Sequence, residues 1–315
     1  MCLFPKLIPN RKFFPNKKNG FNPPPMTDGR TKLVPVGCGK CVECKKQKAR
    51  EWQVRLCEEE KVWKYKYCMT LTFTNQDLLT LCKENHLKES NAVATIAMRR
   101  FLERWRKKYK KSLRHWFITE LGHENTERIH MHGIIFSNEP LTNEIIQQYW
   151  KYGNVDWGEW YGLKTINYLI KYVHKVDTDH KQFEQIVLCS KGIGSNYLAR
   201  SLVKKIHKYK GENTIEYYRL PNGCKVNLPI YYRNKLWDED TREKLWCHRL
   251  DKDERYVMGV KIQNVSTYEG NQLYNRILET AQQTNKLMGF GDDSKQWKKR
   301  DYNVTLKMLQ KAKPK

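Results

Sequence analysis

Two runs rich in β-branched and aromatic residues, Trp116–Leu121 and Ile129–Phe136, flank the polar stretch Gly122–Arg128, and this spacing predicts a β-hairpin. Residues two apart on a strand point to one face, so His130 and His132 project together while Ile129 and Met131 face the other way. Glu120 lies near the end of the preceding strand, where hairpin pairing brings its carboxylate alongside the two imidazoles. Two imidazoles and an acid on one face are ligands for a divalent ion. The plainer alternative is a pair of half-exposed strand histidines, since a single His-x-His arises by chance in many chains.

The flanking segments give the fold class. Tyr67–Thr74 reads as another strand. Ala49, Trp52, Leu56 and Trp63 recur at helical spacing between Cys44 and about Lys64; Met98, Phe101, Leu102, Trp105 and Tyr109 form a second stripe, and Ile166, Leu169, Ile170 and Val173 a third. Strand, helix, hairpin, helix implies an α+β fold, an antiparallel sheet with flanking helices. Prolines punctuate residues 1–36, which read as an irregular, extended lead-in. The expected division is residues 1–60 as lead-in, cysteine cluster and helix, 61–205 as the catalytic domain, and 206–315 as a mixed, largely helical C-terminal extension. In the last part, 214–220 and 225–228 read as short strands and 236–249 and 266–287 as helices. The lysine-dense tail, 297–315, is expected to add non-specific DNA affinity.

Charge narrows the partners. Lys and Arg number 59 against 34 Asp and Glu, a net charge of +25, which suits a polyanion. The chain has no apolar run long enough to span a bilayer, which disfavours a membrane, and its start lacks the pattern of a signal peptide. The expected setting is a reducing cytoplasm, where the ten cysteines read as thiols or metal ligands. Aromatics interleaved with lysines, as in Trp63–Tyr67, fit a surface that stacks bases and neutralises phosphates, although buried rings beneath a lysine-rich surface give the same pattern.

Tyr168 and Tyr172 are four apart, neighbours on one face of a helix, with Lys175 a turn beyond. Read separately from the histidines, they are ordinary amphipathic packing residues. Read with them, they are nucleophiles. A phenol with an ordinary pKa of about 10 attacks phosphorus only where the phosphodiester is polarised and the emerging charge is stabilised, as a divalent ion and a nearby ammonium can do.

The order Met69–Thr74, Glu120 with His130-Met131-His132, then Tyr168-Leu169-Ile170-Lys171-Tyr172 resembles the HUH endonucleases, and more closely the replication initiators of microviruses, especially gokushoviruses. The start resembles them too, through Met1-Cys2, Pro35–Cys44 and Arg50-Glu51-Trp52, as do the glycine loop Ser190–Gly194 and the later Leu228–Tyr232 segment. The likeness covers roughly residues 1 to 235. It departs in the glycine loop, which carries Lys191 but no proline, and at Ile230, where the family usually has a basic residue.

The resemblance implies a bacteriophage enzyme of the bacterial host cytoplasm that starts and ends rolling-circle replication. Glu120, His130 and His132 would hold Mg²⁺ or Mn²⁺. Tyr168 or Tyr172 would form a 5′-phosphotyrosine link at the phage origin, on single-stranded DNA or supercoiled duplex, with Lys171 and Lys175 steadying phosphate charge. Host helicase, polymerase and single-strand-binding protein are the implied partners. The competing readings are an HUH-type transposase or relaxase and a non-enzymatic, zinc-bearing DNA-binding protein.

Cys38-x2-Cys41-x2-Cys44 is a separate motif whose thiolate spacing suits a structural zinc ion, with Cys2 the first candidate for the fourth ligand and Cys57 the reserve. Three reduced thiols without a metal are the alternative.

Overall fold

The computed structural model describes residues 1–87, 90–122, 127–177, 179–180 and 183–291. The lysine-dense tail, 297–315, and most of the polar turn between the hairpin strands lie outside the described residues. The described chain divides into two compact units, one of residues 48–206 and 216–232, the other of residues 1–47, 207–215 and 233 onward.

The first unit is an α+β layer structure. In chain order it comprises helix α1 (Val42–Glu59, whose first residues belong to the other unit), strand β1 (Tyr65–Leu71), helices α2 (Asn75–Asn85) and α3 (Ser90–Tyr109), and strands β2 (Arg114–Leu121) and β3 (Ile129–Ser137). Helix α4 (Asn143–Trp150), strand β4 (Val155–Gly158), helix α5 (Leu163–His174) and strand β5 (Val187–Cys189) follow. The five strands form one sheet in the order β4-β1-β3-β2-β5, every pairing antiparallel. The expected α+β class and hairpin are both present. Strand β1 stops at Leu71, short of the expected Thr74, because Thr74 caps α2 by accepting a hydrogen bond from the Asp77 amide.

Alternation along the strands separates two chemistries. Met69, Leu71, Phe117, Met131 and Ile135 face a core built with Val93, Ala97, Met98, Phe101 and Trp105 of α3 and Ile146 and Trp150 of α4. Fully burying one such aliphatic or aromatic side chain contributes roughly 1.5–3 kcal/mol, so this face fixes the register and thereby what projects from the other. The close approach of β2 and β3 requires Gly133. A Cβ there would lie 2.2 Å from the Phe117 ring and 2.4 Å from the Trp116 carbonyl oxygen. The opposite face carries Thr70, Glu120, His130 and His132, and α5 packs on it against β2.

Helix α5 buries Thr165, Ile166, Leu169, Ile170 and Val173, the anchoring stripe its sequence predicts, and this leaves Tyr168 and Tyr172 on a different flank.

In the second unit the proline-rich first residues are folded. Lys6–Pro9 pairs with Leu33–Val36, and Leu3 and Phe4 sit in a core with Val42, Val257, Ile262, Tyr274 and Leu278. Ion pairs hold the rest: Arg30 Nη2 contacts Asp28 at 2.6 Å and Nη1 contacts Asp251 at 2.9 Å, while Lys12 meets Asp240 and Glu243 at 2.8 and 3.0 Å. The extended reading of residues 1–36 fails here because its stabilising contacts lie more than 200 residues away, beyond any local pattern. Helices Glu239–Asp251 and Tyr268–Leu287 and the hairpin Arg255–Val257 with Val260–Ile262 complete this unit. No described helix is long and apolar enough to cross a membrane.

Candidate metal and nucleophile site

Register brings the acid and the histidines together. Glu120 lies directly opposite His130, and Ile118 opposite His132, across the β2–β3 pair. One carboxylate oxygen, Glu120 Oε2, is 3.1 Å from His130 Nε2 and 3.0 Å from His132 Nε2. The two imidazole rings are 4.8 Å apart and nearly perpendicular at 87°, so both nitrogens reach the same point.

The far side of each ring sets its proton. His130 Nδ1 lies 3.3 Å from the Arg128 carbonyl oxygen, which can only accept, so Nδ1 carries the hydrogen. His132 Nδ1 lies 3.0 Å from Thr70 Oγ1, on the strand paired with β3, where the hydroxyl can take the same role. In the neutral rings Nε2 then presents a lone pair toward Glu120. Acceptors this close repel unless a cation, a proton or a metal ion, lies among them. Octahedral coordination with bonds of about 2.1 Å separates adjacent ligand atoms by about 3.0 Å, which the donor set fits. Glu120, His130 and His132 thus form a group able to hold a metal ion.

Burial would raise the Glu120 carboxyl, but hydrogen bonds from His130, His132 and Lys175 outweigh it and hold the group well below the usual carboxylate range. Its other oxygen accepts a 2.6 Å hydrogen bond from Lys175 Nζ.

The tyrosines adjoin this group. The Tyr172 ring stacks on His132 with centroids 4.3 Å apart and planes 11° from parallel. Its hydroxyl is 2.6 Å from that of Tyr168, whose ring stands at 90° to it and which is 47% exposed. Burial first, then the hydrogen bond with Tyr168, pushes the Tyr172 phenol well above its ordinary range, so a nucleophilic role needs activation. Lys175 Nζ lies 5.9 Å from the Tyr172 ring centroid. The site residues expected from sequence therefore gather here, with Lys171 apart: it is exposed, on another flank of α5. A polar hollow of about 360 Å³ opens beside His130, lined among others by Thr72, Thr74, Arg128, Asn154 and Asp156.

Two contributors carry no sequence signal. Thr70 is placed on His132 by the β1–β3 register. Glu59, 2% exposed, receives the Arg114 guanidinium at 2.6 and 2.8 Å and the Gly194 amide at 2.6 Å, and Arg114 also donates to the carbonyls of Lys191 and Gly192. The glycine segment after β5 is thus tied to α1 and β2. The four cysteines of the N-terminal motif, Cys2, Cys38, Cys41 and Cys44, converge in the other unit as a second group able to hold a metal ion, whereas Cys57, the reserve ligand, is buried outside it.

Comparison with known proteins bears on the same segment. Residues 66–177 match the family model of the replication-associated protein ORF2. The chain is 26% identical over 238 residues to replication-associated protein VP4 of Bdellovibrio phage phiMH2K, covering 66% of this chain and 69% of that protein. No solved structure matches it. The segment matched by the family model spans Thr70, Glu120, both histidines, both tyrosines and Lys175, and by both comparisons the chain is related to the replication-associated proteins of phages.

Proposed function

We propose that the protein is a phage replication initiator that nicks and rejoins origin DNA through Tyr168 and Tyr172, in the manner of HUH endonucleases. The observation carrying this reading is the stacking of Tyr172 on His132, with the Tyr168 hydroxyl 2.6 Å from its own. That places two phenols beside a Glu-His-His donor set. The similarity to a replication-associated protein supports the biological setting.

Glu120, His130 and His132 would hold Mg²⁺ or Mn²⁺, which when bound supplies Lewis-acid polarisation of the scissile phosphodiester. A phenolic oxygen attacks phosphorus and forms the P–O(Tyr) bond. The P–O3′ bond breaks, and the phenolic proton ends on the released 3′ oxygen, leaving a 5′-phosphotyrosine and a 3′-hydroxyl for a polymerase to extend. Attack by a 3′-hydroxyl on that ester reverses these changes and closes the strand. Lys175, bonded to Glu120 and above the Tyr172 ring, is placed to offset negative charge as the phenol deprotonates. The hollow beside His130 would take a nucleotide flanking the scissile phosphate, with Arg128 and Asn154 among its polar contacts.

Incubation with a single-stranded origin oligonucleotide and Mn²⁺ should give a protein–DNA adduct that survives denaturant. A protein that binds the oligonucleotide but forms no adduct is a DNA-binding protein, and the proposal fails.

Thr70→Val removes the hydroxyl that holds His132 Nδ1. Outer-shell partners of metal-bound histidines typically contribute about 10–100-fold in metal affinity, so Mn²⁺ affinity measured by calorimetry should fall within that range with little change in melting temperature. Unaltered affinity would remove Thr70 from the site.

A further inference from the structure

The second group of converging ligands lies outside the nicking site, and the proposed activity makes no use of it. Cys2 comes from the chain start, Cys38 and Cys41 from the loop before α1, and Cys44 from its first turn. Cys38 and Cys44 Sγ are 4.0 Å apart, Cys2 and Cys41 Sγ 3.9 Å, and all four sulfurs lie within 4.8 Å of one another. Disulfide sulfurs would be about 2.05 Å apart, so these are thiols, not bridges. A tetrahedral zinc with Zn–S bonds of about 2.3 Å spaces its sulfurs by about 3.8 Å, close to both measured separations.

The backbone is arranged as around thiolates. The amides of Phe4 and Cys38 donate to Cys2 Sγ at 3.3 and 3.2 Å, and the Cys41 amide donates to Cys38 Sγ at 3.3 Å. Such outer bonds orient metal-bound sulfurs and offset their charge. A side chain at Gly37 would intrude, since a Cβ there would sit 3.0 Å from Cys44 Sγ.

We propose that Cys2, Cys38, Cys41 and Cys44 hold one zinc ion as a closed tetrathiolate site that fastens the first residues of the chain into the core of their unit. The neighbours of the ligands show what the ion would secure. Leu3 and Phe4, next to Cys2, are buried against Tyr274 and Leu278, and the Leu3 carbonyl accepts a 2.8 Å hydrogen bond from Gln282. Val42, between Cys41 and Cys44, is buried and donates its amide to Asn285 Oδ1 at 2.8 Å. Gln282 and Asn285 both belong to the helix Tyr268–Leu287. With four thiolates and no open position, the role is structural.

The test uses the full chain. Protein carrying His132→Ala, which impairs the Glu-His-His set, should retain one zinc per chain after dialysis. Exchange for Co²⁺ should give sulfur-to-cobalt charge-transfer absorption together with ligand-field bands of tetrahedral intensity. Cys2→Ser and Cys41→Ser should weaken or abolish these bands, and Cys224→Ser, at an exposed cysteine, should leave them unchanged. A parent chain without thiolate–cobalt bands, one purified with iron at the thiolates, or a Cys2→Ser variant keeping the full four-sulfur spectrum would each overturn the proposal. Should the serine variants be insoluble, the parent's metal content and cobalt spectrum decide it. Because the readout is thiolate absorption, its failure is distinct from failure of the nicking reaction.

Discussion

A chain carrying both Tyr168→Phe and Tyr172→Phe should lose the denaturant-resistant DNA adduct by at least about a thousandfold, because no nucleophilic oxygen remains to form the ester. Oligonucleotide affinity should change little, since charge and ring area are kept. Each single change leaves one phenol beside the histidines and removes one hydrogen bond, a stability cost of about 1 kcal/mol. The single variants should therefore stay folded and keep an adduct through the remaining hydroxyl. Gel analysis after labelled-oligonucleotide incubation separates these outcomes, and an undiminished adduct from the double variant would defeat the mechanism.

The second large effect concerns the ion. His132→Ala removes one of three donors and the ring on which Tyr172 stacks. In the parent, Mn²⁺ at a hundred times its dissociation constant should raise stability by about 2.7 kcal/mol through mass action, seen as a higher melting temperature. The variant should lose most of that rise at the same Mn²⁺ concentration. Adduct formation should fall roughly a thousandfold, the scale of several kcal/mol of transition-state charge stabilisation. If His132→Ala still responds to Mn²⁺ with the parent's shift and rate, the ion binds elsewhere.

Where side-chain pattern and local geometry coincide, the sequence is a good guide. His130, Met131 and His132 alternate across a strand, and Glu120 meets His130 through a hairpin whose two strands are both strongly β-forming. The tyrosine helix is readable because Ile166, Leu169, Ile170 and Val173 mark its buried face. What escapes is whatever depends on pairing at a distance. Strands β4 and β5 have four and three residues, too few for alternation to register, and β4 contains Asp156 and Gly158, poor strand formers that are held by pairing with β1. Thr70 has nothing to distinguish it from other strand threonines until β1 is set beside β3. Lys171 follows the same logic: its place between the tyrosines in sequence turns it to another flank of the helix, while Lys175 reaches Glu120. Cys2, by contrast, is legible as a partner of the cysteine cluster despite its distance, because three thiols at that spacing leave a fourth to be found.

The hydrogen bond joining the two tyrosine hydroxyls has one proton along its axis, so one oxygen gives and the other receives. Once either is esterified to phosphate it has no proton left to give, and the surviving phenol must become the giver. Covalent history at one residue is thereby written into the polarity of its neighbour, which lets a pair of chemically identical groups act in sequence without any movement of the backbone.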